Sequence, residues 1–287
     1  MILINREKFN DAEFHNGEVI FEKPSVVCTS GVNTIEMKFQ NNKDIAALMF
    51  AREYIEEQAP NVECNLVMEY CPYERMDREI NKQMFSMKYF AKIIAKCNFS
   101  KVFILDAHSR VCVTELENAG VNVVEVDLNT FVKKVVDDFK PDFICYPDKG
   151  AYGKYPNILK DINIPCFYGE KVRDLANKGK ITDYHLVNAP DLTDKRVLII
   201  DDICCLGGTA YNAAMEMKFE GASEVAFYIS HCENGIFAGK ILHPEAFCPD
   251  NFGENLPWAG KYTIDKVYTA DTMMVNNWHK NMVRVEI

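Results

Sequence analysis

The sequence predicts an α/β protein built from two similar domains, each with a mostly parallel open sheet flanked by helices. Short apolar, β-branched runs alternate with amphipathic stretches, which is the pattern of βαβ units. A chain of 287 residues is long enough for two domains of ordinary size. The polar segment "DDFKPDF" around Pro141 separates two halves that both show this alternation. We therefore expect a first domain over residues 1–140 and a second over residues 141–287.

The predicted strands are short apolar runs. Strands of a parallel sheet are buried on both faces, so their sequences are nearly continuous apolar runs rather than alternating ones. "VLII" before Asp201 is the clearest example. In chain order the predicted strands are Val26–Thr29, Asn65–Met68, Val102–Asp106, Val121–Val126, Phe143–Tyr146, Cys166–Tyr168, Val197–Asp201 and Glu224–Ile229.

The predicted helices are longer stretches in which apolar residues recur every three to four positions. In the first of them Ile45, Leu48 and Ile55 share one face, which indicates a stripe packed on the core rather than a binding site. The predicted helices are Lys43–Glu57, Lys82–Cys97, Leu128–Phe139 and Gly208–Phe219.

The composition narrows the classes of function. Apolar residues make up 48% of the chain and charged residues 26%, and the net charge is -10. This acidic balance argues against a general nucleic-acid binder, which needs lysine and arginine to neutralise phosphates. The opening "MILINREKFN" is unlike a signal peptide, and no apolar run is long enough to span a membrane. The 11 cysteines are mostly scattered singly through apolar segments, so we expect free thiols in a cytoplasmic protein.

The segment "VLIIDDICCLGGTA" carries the most chemical information. Ligands of open parallel sheets bind beyond the carboxyl ends of the strands, where Asp201 and Asp202 are expected. Such a carboxylate pair can bind ribose hydroxyls or the water shell of a metal. Gly207 and Gly208 let the backbone approach a ligand, and the N–H groups that open the next helix can hold a phosphate. A plain strand, turn and helix with Thr209 as the N-cap explains the same residues equally well.

The same segment resembles the signature of the type I phosphoribosyltransferase fold, and further segments resemble the ribose-phosphate pyrophosphokinase family. They occur in the family's order and cover nearly the whole chain. They are "FHNGEVIFE", "YCPYERMDREINKQMFSMKYFAKII", "FILDAHS", "YPDKGAY", "GEKVRD" and "VYTADTM". The resemblance implies two phosphoribosyltransferase-like domains.

The resemblance also implies an activity. Family members move the β,γ-diphosphate of ATP to the 1-hydroxyl of ribose 5-phosphate and release AMP. It implies that Lys171 and Arg173 are the catalytic residues, in a segment, "GEKVRDLANKGKITDYH", that we expect to be a mobile loop. The residues expected to bind the ribose phosphate are Asp201, Asp202, Cys205, Leu206, Gly207, Gly208 and Thr209.

The remaining site residues are assigned by the same resemblance. His108 and Asp148 are expected to ligate Mg²⁺. His231 resembles a threonine-histidine corner of the family. The family also implies a homo-oligomer in which the ATP site is shared between subunits. The residues expected to bind ATP are Phe14, Asn16, Glu18, Arg75, Asp77, Arg78 and His108.

The chain departs from the family pattern at three places. Asn16 stands where an aspartate is expected, and Met76 replaces a glutamine. Cys205 and Leu206 replace an aspartate and a threonine, so the sugar-phosphate loop loses a carboxylate and a hydroxyl donor. This more apolar rim suggests an acceptor whose 5-phosphate continues into another group, with ADP-ribose as the leading candidate. A phage branch of the family makes ADP-ribose pyrophosphate in rebuilding NAD, and the divergence resembles it.

Two other functions remain open at this point. A phosphoribosyltransferase that consumes phosphoribosyl pyrophosphate would explain "DDICCLGGT" but not the segments at Phe14–Glu18, Arg75–Arg78 and His108. An inactive regulatory subunit of the same fold would not need to retain Lys171 and Asp148. The release of AMP from ATP separates the three.

Overall fold

A computed structural model describes residues 1–9, 11–174, 180–243, 263–274 and 278–286, with side chains for all of these except 11, 172–174 and 180–183. The chain forms two compact units, Met1–Val126 and Asp127–Ile287.

The first unit contains a six-stranded sheet in the order β2-β1-β5-β6-β7-β8. Strands β5 to β8 are parallel, and β1 joins β5 and β2 in antiparallel fashion. A separate hairpin pairs β3 with β4. The elements are β1 Ile2–Ile4, β2 Glu7–Lys8, β3 Asp11–Glu13, β4 Val19–Phe21, β5 Val32–Met37, α1 Lys43–Gln58, β6 Glu63–Val67, α2 Ser86–Lys96, β7 Lys101–Leu105, α3 Arg110–Asn118 and β8 Val123–Val126.

The second unit contains a seven-stranded sheet in the order β11-β10-β9-β12-β13-β14-β15. All neighbours are parallel except β11, which runs antiparallel to β10. The elements are α4 Leu128–Phe139, β9 Phe143–Tyr146, α5 Lys149–Ile158, β10 Cys166–Asp174, β11 Lys180–Val187, β12 Arg196–Cys204, α6 Gly208–Phe219, β13 Glu224–Cys232, a 3-10 helix Asn234–Ala238, β14 Lys266–Ala270 and β15 Met282–Val285.

Each unit has its own apolar core, and the cores explain the pattern read from the sequence. In the first unit Ile35, Leu66 and Val102 are fully buried on three neighbouring strands. In the second unit Val197 and Ile199 of β12 are fully buried at the centre of the sheet. The α/β prediction with mostly parallel sheets is confirmed.

The domain boundary lies earlier than we expected. Helix α4 packs against β13 and β15 of the second sheet. The units therefore divide between Val126 and Asp127, whereas the sequence had suggested a hinge near Pro141. The apolar stripe of an amphipathic helix does not indicate which sheet the helix packs against. The sequence therefore did not reveal that α4 belongs to the second unit.

Two local predictions are wrong. Val26–Thr29 is not a strand, because the Asn33 side chain accepts a hydrogen bond from the Cys28 N–H and donates one to the Cys28 carbonyl. The segment expected to be a mobile loop around Lys171 forms the antiparallel strands β10 and β11, apart from residues 175–179, which lie outside the described residues.

Among the described residues, no helix combines the length and apolar character needed to cross a membrane. The cysteines in this part of the chain are all free thiols, and most of them are buried.

Candidate active site

Asp148 lies at the carboxyl end of β9 and caps helix α5. Its Oδ1 atom accepts a hydrogen bond of 3.0 Å from the Ala151 N–H. A Cβ atom at position 150 would lie 3.2 Å from the same oxygen, so the glycine there leaves room for this close approach. Burial alone would raise the pKa of Asp148, but the Ala151 hydrogen bond and the charge of Lys171 outweigh it and lower the pKa. Asp148 is therefore an ionised carboxylate fixed at a strand end.

Lys171 pairs with this carboxylate. Its Nζ lies 3.0 Å from Asp148 Oδ2, and the side chain is only 13% exposed. Lys171 and Arg173 both lie on β10, and the Arg173 side chain lies outside the described atoms. The Tyr184 hydroxyl of β11 donates to the Pro147 carbonyl at 3.0 Å, which ties the strand pair to the turn before Asp148. The sequence predicted a loop around this lysine, whereas the structure places it on a strand.

Asp201 and Asp202 lie inside β12, which runs on to Cys204. Burial raises the pKa of Asp201 well above its usual range, and the charge of Asp202 beside it and that of Asp148 raise it further. Asp201 therefore keeps its proton to a higher pH than an ordinary aspartate. Because β9 and β12 are parallel neighbours, Asp148 and the pair Asp201–Asp202 lie towards the same edge of the sheet.

The turn between β12 and α6 has the form expected of an anion cradle. Gly207 is the N-cap of α6, with a φ of 76°, and a Cβ atom there would lie 2.2 Å from Ile241 Cδ1. The expectation that Thr209 is the N-cap is wrong. A glycine N-cap has no side chain to accept from the first N–H groups of the helix, so these groups are available to an anion. Cys205 is exposed, and Leu206 is 54% exposed.

The first unit brings several of the expected ATP-binding residues together. The His108 N–H, just after β7, donates to Glu74 Oε2 at 3.2 Å. The Ser109 hydroxyl donates to Asp77 Oδ2 at 2.8 Å. Arg78 lies 3.9 Å from Asp77 and is otherwise exposed. The segment that contains Arg75 is thereby attached to the end of β7.

Sequence reasoning missed two residues of this arrangement. Glu74 is fully buried and Ser109 bonds Asp77, and both position residues that were predicted. A glutamate among four other charged residues in "YERMDRE" is typical of an exposed surface, and only its burial reveals the role. For Ser109, its place next to His108 at a strand end was the available signal.

The hairpin of β3 and β4 carries the remaining expected ATP-binding residues. Asn16 forms the turn, since its side chain donates to Glu18 Oε2 at 2.8 Å and accepts from the Glu18 N–H at 3.1 Å. Phe14 is 55% exposed on the same hairpin. The substitution of aspartate by Asn16 thus preserves a turn-forming side chain.

His231 has a structural environment. It is fully buried on β13, and its Nδ1 atom lies 2.9 Å from the Thr272 hydroxyl, which donates to the Ser230 carbonyl. These contacts join β13 to the segment that follows β14. We therefore interpret His231 as a core residue.

Comparison with known proteins finds related sequences. No family model matches the chain. A ribose-phosphate pyrophosphokinase of Sulfurisphaera tokodaii is 24% identical over 223 residues, which cover 76% of this chain and 74% of the relative. An enzyme of the same name from Cereibacter sphaeroides is 29% identical over 184 residues, 61% of this chain and about half (51%) of the relative.

A solved structure shares the fold of this chain. The crystal structure of phosphoribosylpyrophosphate synthetase from Mycobacterium smegmatis superposes with a TM-score of 0.72 at 14% identity, covering 96% of this chain and 85% of that one. Similar sequences and a similar fold agree with the segment order read from the sequence, and the chain resembles the ribose-phosphate pyrophosphokinases, a family of transferases, in both sequence and fold.

Proposed function

We propose that this protein transfers the β,γ-diphosphate of ATP to the 1-hydroxyl of a ribose that carries a 5-phosphate, and releases AMP. The observation that carries the proposal is the grouping of Lys171, Asp148 and the pair Asp201–Asp202 at the carboxyl ends of adjacent strands, followed by the turn at Gly207. The similarity to ribose-phosphate pyrophosphokinases suggests the reaction, and this grouping supplies the residue types that it needs.

In this reaction the 1-hydroxyl oxygen attacks the β-phosphorus, and the bond from that phosphorus to the α-phosphate oxygen breaks. The protein contributes positioning and charge rather than covalent steps. Lys171 is the cation that stabilises the phosphate oxygens, and to do so it exchanges Asp148 for the incoming diphosphate. Asp201 and Asp202 orient the ribose hydroxyls by accepting hydrogen bonds from them. Where Asp201 is protonated, it donates a hydrogen bond to a ribose oxygen instead. Arg173 is proposed as a second catalytic cation.

The residues at the end of β9 fit Mg²⁺. Mg²⁺ prefers oxygen ligands, keeps several waters and is completed by substrate phosphates, so it needs few protein ligands. Asp148 offers an ionised carboxylate, and the described residues contain no cluster of three or more His, Cys, Asp or Glu side chains that would form a closed cage. We propose Asp148 as a ligand and retain His108 as a second one by resemblance. The ion, when bound, neutralises the charge on the ATP phosphates.

The acceptor is proposed to be a 5'-extended ribose, with ADP-ribose first. Cys205 and Leu206 are both exposed on the rim of the turn, so no polar side chain at these two positions closes the space beyond the 5-phosphate. In this form the reaction is a step in rebuilding NAD. Ribose 5-phosphate is the alternative acceptor.

ATP is proposed to bind to Arg75, Asp77, Arg78 and His108, with the hairpin that carries Phe14, Asn16 and Glu18 contacting the adenine from a second copy of the chain. The exposed ring of Phe14 suits this role, because an aromatic face can stack on adenine. The functional unit is then a homo-oligomer. Analytical ultracentrifugation of the intact protein and of Phe14→Ala would test it, since a monomer with full activity contradicts the shared site.

The deciding experiment is a product analysis with ATP, Mg²⁺ and either ADP-ribose or ribose 5-phosphate. We expect AMP to form in proportion to the acceptor consumed, with ADP-ribose the better substrate. Lys171→Met should lower kcat/KM by at least about 100-fold, the loss typical of one charge-stabilising group. The matched control, Lys160→Met, changes an exposed lysine outside the site. Turnover of ribose 5-phosphate alone would overturn the extended acceptor. Release of diphosphate from phosphoribosyl pyrophosphate, without formation of AMP, would indicate a phosphoribosyltransferase. The absence of any turnover would indicate a regulatory subunit.

A further inference from the structure

The turn at Cys205–Gly207 rests on a second stretch of chain, Glu233–His243, which we call the supporting segment. A Cβ atom at Gly235 would lie 2.8 Å from the Cys205 carbonyl oxygen, and one at Gly239 would lie 2.0 Å from that of Leu206. The Glu233 N–H also donates to the Cys204 carbonyl at 2.9 Å. The two backbones therefore touch, which fixes the position of the supporting segment beneath the turn.

Lys240 lies in this segment between two residues that contact the turn. Gly239 meets Leu206, and Ile241 fills the space next to Gly207. The Lys240 Nζ lies 5.3 Å from the centre of the Tyr211 ring, a cation–π contact with the first turn of α6. The ammonium group is thus held against a side chain of the first turn of α6, the helix that begins at the turn.

Lys240 is the cation that the two chain segments at the turn contribute. Residues 204–211 and 233–243 are all described, and Lys240 is the only lysine or arginine in either range. Asp202 contributes a carboxylate on β12. Glu233 contributes another near Cys204, whose pKa is raised by its hydrogen bond with Cys232, by burial and by this charge. A phosphate dianion bound at the turn would be close to both carboxylates, and a nearby cation offsets that repulsion.

We propose that Lys240 binds the phosphate on C5 of the ribose acceptor and replaces the donor that the turn lacks at Cys205 and Leu206. The inference rests on the proposed function for the identity of the ligand. Ribose 5-phosphate and ADP-ribose share this phosphate, so both are used as probes.

The test measures the Kd of each probe by calorimetry, without ATP, for the wild type, Lys240→Gln, Lys240→Arg and the control Lys160→Gln. We expect Lys240→Gln to raise the Kd of both probes about 10-fold or more, the usual effect of removing a charged hydrogen-bond partner. Lys240→Arg should stay close to the wild type, and Lys160→Gln should not differ from it. The KM for ATP should be unchanged in Lys240→Gln, because the residue acts on the acceptor.

The outcomes separate the two proposals. A rise in Kd for both probes assigns the contact to the 5-phosphate and supports the role of Lys240. A rise for ADP-ribose alone assigns the contact to the second phosphate of that molecule and overturns the proposed contact with the 5-phosphate. An unchanged Kd in Lys240→Gln, with AMP formation retained, overturns the role of Lys240 and leaves the proposed function standing. Tight binding that depends on Lys240 without any AMP formation overturns the proposed function alone.

Discussion

The ion pair between Lys171 and Asp148 makes a prediction that can be worked out from the structure. We consider a double-mutant cycle of Lys171→Met and Asp148→Asn, in which asparagine keeps the capping acceptor for the Ala151 N–H but removes the charge. At a separation of 3.0 Å the attraction is about 5 kcal/mol with an effective dielectric constant of about 20. Asp148 is 42% exposed, however, and solvent screening and desolvation reduce the net coupling to about 1–2 kcal/mol.

Urea unfolding followed by circular dichroism at pH 7 measures this coupling in the free energy of unfolding. The pKa of Asp148 is lowered in the folded protein, so its stabilisation is present above the unfolded value of about 3.9 and is lost as the pH falls through the folded value. We therefore expect the coupling to persist from pH 7 to pH 5 and to disappear in stronger acid. A coupling below about 0.3 kcal/mol at pH 7, within the error of additive mutations, would refute the pairing.

Three further predictions concern residues around the site. Gly207→Ala should lower the free energy of unfolding by about 1–3 kcal/mol, because it forces a residue with a Cβ into a left-handed conformation and places that Cβ against Ile241. Gly208→Ala, which has open space at its Cβ, should have a smaller effect. Equal losses of the two variants in urea unfolding would contradict this prediction. Asp201→Asn should gain stability relative to the wild type as the pH rises from 4 to 8. The pKa of Asp201 is raised in the folded protein, so ionisation of this carboxyl at higher pH favours the unfolded chain, and asparagine does not ionise. A difference in Tm between the two proteins that does not vary with pH would rule out this effect. Thr272→Val should lower the free energy of unfolding by about 1–3 kcal/mol, because it removes the hydroxyl that lies 2.9 Å from Nδ1 of the buried His231. The control Thr209→Val, on α6, leaves that pair intact. Similar Tm values for Thr272→Val and the wild type would show that the contact contributes nothing.

The elements that the sequence predicts best are those with a strong local pattern. Leu128–Phe139, Gly208–Phe219 and Phe143–Tyr146 have the predicted bounds, because an apolar stripe or run begins and ends at each of them. Val26–Thr29 failed because a side chain from outside it, Asn33, satisfies its backbone groups. A contact of that kind depends on the fold and has no periodic signal.

The site shows the same division between local and distant information. The sequence predicts Asp201, Asp202 and the glycines after them as site residues, because an apolar run followed by carboxylates and glycines is a local pattern. It placed Lys171 in a loop, since the polar residues of β10 and β11 lack the apolar pattern of a buried strand, although they pair at the edge of the sheet. Lys240 carries no local signal, and only the contacts of Gly235 and Gly239 bring it to the turn.

The proposed reaction requires that the 1-hydroxyl oxygen of the acceptor attacks the β-phosphorus of ATP. The most direct measurement uses ATP labelled at the β-phosphate, with ADP-ribose and ribose 5-phosphate as acceptors, and follows the label by chromatography and mass spectrometry. We expect the label to move to the acceptor together with the γ-phosphate, AMP to be the nucleotide product, and Lys171→Met to suppress the transfer. A labelled ADP product, with only the γ-phosphate on the acceptor, would contradict it.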